Sequence, residues 1–396
     1  MLLTEHVIVF NFIILLIDLL SCFDIILSMQ ILLSLFYFFY FALIGVYVIF
    51  LPKVLNLSGY SASEIGIIFA AAPLVRFIIP FLFIRGLKLD TKSFNVALLI
   101  LLSSATSFYF SLDSFYRLLF SNIGIGIGLS LVLPYIEVIS LNFLGKERYG
   151  KIRLFGSIGF ILVALVLVKF LSVPSIALTY LLVLSFLTVI SSFIIVRGHR
   201  DTLNETSKES NDVNLLRDWK LWLGLTLMQV GFGPFYNFFT IYETDAGISL
   251  DMTIYLWSFG VIVEVFMLFF QAKLLRNNLL LILQITTFVT AIRWFLVFLY
   301  PQNLYILFFS QALHALSFAL FHSAAISYLF TLYKHKTLAQ QMFSGITYGF
   351  GAFVGALYSG YVYEYIPEYL FLSGAAIAFL ASLSIYMFGR KSIVNN

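Results

Sequence analysis

The sequence predicts an all-α integral membrane protein of about twelve transmembrane helices in two six-helix halves, and three observations carry that expectation. Hydrophobic residues make up 61% of the 396-residue chain and charged residues only 11%, a balance that a soluble core with a solvated surface cannot hold. Apolar runs of about 20 residues, each long enough to cross a roughly 30 Å hydrocarbon layer as a helix, recur throughout. One long polar stretch, Arg197 to Asp218, separates them into two sets. Strands of an outer-membrane barrel would instead alternate apolar and polar residues.

The first set lies near 30–51, 61–84, 93–111, 115–139, 152–172 and 174–196, and the second near 219–243, 252–272, 279–300, 304–330, 341–363 and 368–388. They define an N-terminal half over 29–196 and a C-terminal half over 219–389, joined by a linker over 197–218 that is rich in Ser, Thr, Asn and charge. Residues 1–28 form an additional apolar segment carrying Asp18 and Asp24 but no Lys or Arg. It is neither a standard signal peptide nor a helical hairpin. Met29 is a candidate true start, and an extra N-terminal hydrophobic helix is the alternative.

Orientation follows from the basic residues. With the linker placed in the cytoplasm, 17 of the 23 Lys and Arg residues fall on the inner side and only Lys53, Arg117 and Lys169 on the outer side. The acidic residues Glu243, Asp245, Asp251, Glu364 and Glu368 fall on the outer side. A multi-pass protein of the cytoplasmic membrane is expected, with linker and C-terminus cytoplasmic. The net charge of +4 is then a product of topology and points to no nucleic-acid partner.

The two halves carry traces of a repeat. Gly59 and Ser61 before the second span match Gly247 and Ser249 before the eighth at an offset of 188 residues, which also places Arg76 on Glu264, Arg153 on Gln341 and Pro134 on His322. Parallel six-span repeats related by an axis along the membrane normal describe the halves of a major facilitator transporter.

Only Arg76, Arg153 and Arg293 among the basic residues fall inside the main spans, where about 2.5 to 3.5 kcal/mol opposes each on insertion scales. They, and Glu137 and Glu264 at similar depth, are therefore the candidate functional residues. Glu137 and Arg153 flank one tight turn between antiparallel spans, close enough to meet as an ion pair or to share a carboxylate, phosphate or vicinal-diol ligand. Arg76 and Glu264, as twins of opposite charge, are expected to face each other across the halves as a bridge, a gate or a substrate contact. Arg293, His314 and His322 form a third group in which a histidine could trade protons at cellular pH; a neutral histidine bonded to a carbonyl is the alternative. Tyr236, Asn237 and Trp257 lie beside this polar stripe.

Small residues supply close helix contacts: Gly124, Gly126 and Gly128, then Gly156 and Gly159, then Gly351, Gly355 and Ser359. No metalloprotease, hydrolase, phosphate-loop or Cys/His metal motif is present, and the single Cys22 excludes an intramolecular disulfide. An enzyme is therefore not expected.

The segments YGKIRLFGSIGF (149–160), GFGPFYNFFTIYETDAGIS running into YLWSFGVIVEVF (231–266), AIRWF (291–295) and QALHALSFALFHSAA (311–325) resemble the phenylpropionate-permease-like group of the major facilitator superfamily, a relative of lactose permease and the nucleoside symporters. The resemblance spans Met29 to Arg390. It implies substrate binding by Glu137 and Arg153, and substrate or proton roles for Glu264, Arg293 and His314. Ser317 stands where that relative has its proton-carrying Glu, so the resemblance implies a coupling carboxylate elsewhere.

The expected function is secondary transport of a small organic solute by alternating access, as a functional monomer in the lipid bilayer. No cofactor is expected, the proton gradient supplying the energy. Three arginines against two glutamates leave one cation over, which favours an anionic small-molecule substrate such as an aromatic carboxylate. A sugar or nucleoside symporter, an efflux pump and a non-transporting receptor are the alternatives.

Overall fold

A computed structural model describes residues 29–87, 89–170, 173–198 and 213–394. Residues 1–28, with Asp18, Cys22 and Asp24, and most of the linker lie outside these. Among the described residues there are twelve spanning helices and no strand. The N-terminal half contains α1 (Met29–Leu57), α2 (Ala62–Ile84), α3 (Thr91–Tyr109), α4 (Phe115–Gly145), α5 (Arg148–Phe170) and α6 (Pro174–Gly198). The C-terminal half contains α7 (Trp219–Gly231 continuing as Gly233–Asp245), α8 (Leu250–Leu274), α9 (Leu279–Leu299), α10 (Leu304–Leu332), α11 (Lys336–Met342, Phe343–Gly351 and Ala352–Tyr365) and α12 (Leu370–Val394).

Nine of these helices are long and apolar enough to cross a membrane as uninterrupted segments; α3, α7 and α11 are the other three. The reasons are local. α3 opens on a polar turn and carries a Ser/Thr-rich end, α7 is interrupted at Phe232, and α11 is diluted by Lys336, two glutamines and several Gly, Ser and Tyr residues. π winding also occurs at Val46–Phe50 in α1 and Ala315–Leu320 in α10. Such widened turns occur mostly as short insertions, often at functional sites.

The internal repeat is visible in the backbone. Gly59 and Gly247 both sit at positive φ, 92° and 97°, a conformation that a side chain disfavours. The serine two residues on caps the next helix in each half: Ser61 accepts from the Glu64 amide and Ser249 from the Met252 amide. Two loop-to-helix entries 188 residues apart thus use the same turn and the same cap.

The halves meet where α2 packs on α11, where α8 packs on the Phe115–Phe170 run, and where α1 packs on α7. Small residues allow the approach: a Cβ on Gly66 of α2 would lie 2.7 Å from the Ala356 carbonyl oxygen and 3.0 Å from the Gly360 Cα. At the face opposite the linker, two polar ties join the halves. Lys53 Nζ reaches Asp245 Oδ1 at 3.3 Å, and the Ser63 amide donates to Glu364 Oε2 at 2.8 Å. Tyr363 steadies the first by donating to Asp245 Oδ2 at 2.7 Å while its ring stacks on Phe238.

Candidate substrate-binding site

In the N-terminal half, α1 presents Tyr37, Tyr40 and Phe41 at helical spacing toward α4 and α5. The expected meeting of Glu137 and Arg153 occurs: Arg153 Nε lies 3.6 Å from Glu137 Oε1, and each side chain keeps 31% of its surface open. Tyr149, one turn before Arg153, donates to the same Glu137 oxygen at 3.0 Å. The guanidinium carbon of Arg153 sits 3.9 Å from the Phe41 ring centroid and 5.4 Å from that of Tyr37. Gly156 makes this stacking possible, because a Cβ there would lie 2.6 Å from the Phe41 ring. Below the pair, Tyr37 shares a 3.0 Å hydrogen bond with Ser140. The pair is thus held from one side by aromatic faces and open on another, so a ligand can take over one of its partners.

In the C-terminal half, α9 turns Thr286, Thr290 and Arg293 inward on one face, and Arg293 is completely buried. Its guanidinium donates to Ser317 Oγ at 3.0 Å and Gln311 Oε1 at 2.8 Å and meets His314 Nδ1 at 2.9 Å. Gln311, His314 and Ser317 recur every third residue of α10, at and beside its π turn, which aligns all three on one cation. The rings of Trp294 and Phe235 lie 4.2 and 4.6 Å from the guanidinium carbon. His314 passes the contact on, with Nε2 3.5 Å from Glu264 Oε2. The order is therefore Glu264, His314, Arg293. Burial of a guanidinium is tolerable only where most of its donors find acceptors and its faces find rings; this cluster supplies acceptors to both terminal nitrogens and rings to the faces, while Nε is buried without a partner among the described residues.

Arg76 and Glu264 do not form the bridge that their twin positions predict. Glu264 turns to His314 within its own half instead, although both side chains lie within electrostatic reach of Tyr236 and Tyr348. Arg76 is half-buried and, among the described residues, makes no hydrogen bond or ion pair. It lies within electrostatic reach of Tyr40 and Tyr47 of one half and Tyr236 and Tyr348 of the other. Tyr236 is also within reach of Glu264 and Arg293, and His322 of Glu264 and Arg153. The intramembrane charges therefore converge on one region between the halves.

His322 stands apart from the Arg293 cluster and pairs instead with Tyr348, Nδ1 to hydroxyl 2.7 Å. Asn237 spends its amide on the carbonyl of Gly233 in its own helix, at 2.9 Å. Tyr236 stacks on Phe232 and stays close to the polar cluster. Trp257 donates to Thr240 at 3.1 Å. Sequence reasoning missed Tyr149 and Gln311, although the signal was there: four residues from Arg153 and three from His314 are the spacings that share a helix face. It said nothing of the burial of Glu243, which lies at the outer end of α7 as its side of the membrane predicts and is fully buried there.

Twelve helices in two related halves, with charges gathered between them, define a secondary transporter of the major facilitator fold. Residues 30–373 match the family model described as the MFS_1 like family, and the chain belongs to that family. It is 25% identical over 393 residues to a protein of Escherichia coli (strain K12) named "Probable 3-phenylpropionic acid transporter", covering 91% of this chain and 97% of that one. An "Uncharacterized transporter YwbF" of Bacillus subtilis (strain 168) is 26% identical over 385 residues, covering 91% and 93%. Among solved structures, a mutant of the nucleoside transporter NupG matches with a TM-score of 0.77 at 16% identity, covering 91% of this chain and 100% of that one. A bacterial homologue of the lysosomal transporter Spinster matches with a TM-score of 0.70 at 12% identity, covering 91% and 96%. These likenesses establish the fold. The chain is a multi-pass membrane transporter of a small molecule and not an enzyme.

Proposed function

We propose that the chain takes up a small organic monoanion with an aromatic body, driven by the proton gradient, and that Arg76, Arg153 and Glu137 receive it. The observation that carries this reading is the unpartnered Arg76. Arg153 has Glu137, and Arg293 has three polar partners with Glu264 one step beyond, but Arg76 has no acceptor among the described residues. A cation at membrane depth without a counter-charge is costly, and a substrate carboxylate supplies what is missing. Phe41, Tyr236 and Tyr348 offer ring faces nearby, and the named E. coli relative agrees with an aromatic acid. Proton coupling is assigned to the Glu264, His314 and Arg293 chain, with His322 as a second titratable group. The excess of basic residues in the loops on the linker side supports a cytoplasmic linker and C-terminus, and in this reading each copy acts as a monomer.

A second reading rests on the Glu137–Arg153 pair itself. With Tyr149 it presents an acceptor and donors side by side, a combination that suits vicinal hydroxyls, as in a sugar or nucleoside.

Ligand-dependent thermal stabilisation of the purified protein separates the two. 3-Phenylpropionate is expected to stabilise the wild type, its neutral amide to do so far less, and Arg76→Gln to erase the difference. Equal stabilisation by acid and amide, or by a nucleoside alone, removes the anion reading. Uptake of the labelled acid into vesicles, with and without a pH gradient, tests the coupling.

A further inference from the structure

Glu243 sits at the end of α7, fully buried, and neither of its carboxylate oxygens meets a hydrogen-bond donor among the described residues. Among the described residues no basic side chain forms an ion pair with it. An ionised carboxylate left dry and unpaired costs several kcal/mol even after relaxation, so the closed arrangement holds this group as a neutral carboxylic acid. Two residues on, Asp245 makes the tie to Lys53 that joins the halves. The Glu243 carbonyl accepts from the Ile248 amide at 2.9 Å, which fixes the turn into α8. The acid is therefore built into the same helix end that closes the face opposite the linker.

We infer that Glu243 is a proton-binding site that controls closure of this face, taking up a proton before the face can shut. When the ties part, water reaches the carboxyl, the O–H bond breaks and the proton leaves to the medium on that side. Closing requires the reverse, with a proton taken from the same medium. The proton enters and leaves by one face, so this site sets the conformational equilibrium and carries no net proton across. Toward this end the surrounding elements also carry Tyr47 and Lys53 of α1, Asp251 and Tyr255 of α8, Tyr358, Tyr361, Tyr363, Glu364 and Tyr365 of α11, Glu368 and Tyr369 of the following turn, and Tyr242 and Asp245 of α7 itself. Tyr242 and Tyr363 lie within electrostatic reach of the carboxyl. Asp245 and Glu364 already have partners in the ties.

The inference rests on alternating opening of the two faces but on no particular substrate, so failure of the aromatic-anion reading leaves it standing. Spin labels on Leu57→Cys and Tyr361→Cys, both exposed near this face, report its opening by pulsed distance measurement in ligand-free proteoliposomes, with Cys22 replaced. The long-distance population is expected to grow severalfold from acid to alkaline pH in otherwise wild-type protein. It should stay small and pH-independent in Glu243→Gln, while Glu243→Asp retains a pH response and Asp245→Asn does not remove it. The infrared band of a protonated carboxylic acid is expected at neutral pH and is lost in Glu243→Gln. A flat response in the wild type, an unchanged response in Glu243→Gln, or loss of the response in Asp245→Asn alone overturns the proposal.

Discussion

Each half holds one partnered arginine at membrane depth, Arg153 in the first and Arg293 in the second, and the two are held differently. Arg153 pairs with a carboxylate that is as open as itself, beside aromatic rings and a tyrosine hydroxyl. Arg293 is closed off completely and rests on a glutamine, a serine and a histidine, with its nearest carboxylate one residue removed. An ion pair with open surface can exchange partners with a ligand, whereas a buried cation solvated by neutral groups is part of the scaffold and changes only if its neighbours do. The first half thus offers an exchangeable pair and the second a fixed one.

The largest effect should come from the buried side of that comparison. Arg293→Ala leaves Gln311, Ser317 and His314 without their common donor, and removing one member of a buried charged network typically costs about 3 to 5 kcal/mol. A large fall in thermal midpoint is expected, with only partial recovery in Arg293→Lys because one ammonium cannot meet three acceptors in a plane. An Arg293→Ala protein as stable as the wild type would show that the cluster is not structural. Arg153→Ala should instead leave the thermal midpoint nearly unchanged while weakening ligand binding by about tenfold or more, the scale of a lost charge-assisted hydrogen bond. Equal affinity in that variant, measured by ligand-induced stabilisation, would move the site elsewhere.

A smaller change is expected from Tyr149→Phe, which removes one hydrogen bond to Glu137 and should cost about 1 kcal/mol, or roughly fivefold in affinity. Smallest is Lys53→Met. An ion pair with one partner half-exposed contributes on the order of 0.5 kcal/mol, so this variant should shift the balance between open and closed faces only slightly, a change visible in labelled distances but not in stability.

Much of this arrangement was legible in the residues. Helix count and order follow from runs of apolar residues whose length is fixed by the bilayer. The Glu137–Arg153 meeting follows from a turn too short to let their spans diverge. Other features were hidden for stated reasons. The Arg76–Glu264 pairing failed because a repeat register gives equivalent depth in each half but not which side chain each group reaches, and Glu264 is taken by His314 of α10. His322 looked like a companion of His314 because both lie in the span beside Arg293, yet beyond the intervening π turn it pairs with Tyr348. The burial of Glu243 was not legible, because a helix end gives no sign in one dimension of how deeply it is covered.

The ties that join Lys53 to Asp245 and Ser63 to Glu364 have an energetic meaning beyond their geometry. Each is a bond that water can replace, and each contributes only about 1 kcal/mol or less once solvent competes. Their sum lies within the few kcal/mol by which a bound solute favours one of two conformers. The barrier face of this transporter is therefore a reversible seam, strong enough to bias the resting distribution and weak enough for a single molecule of cargo to reset it.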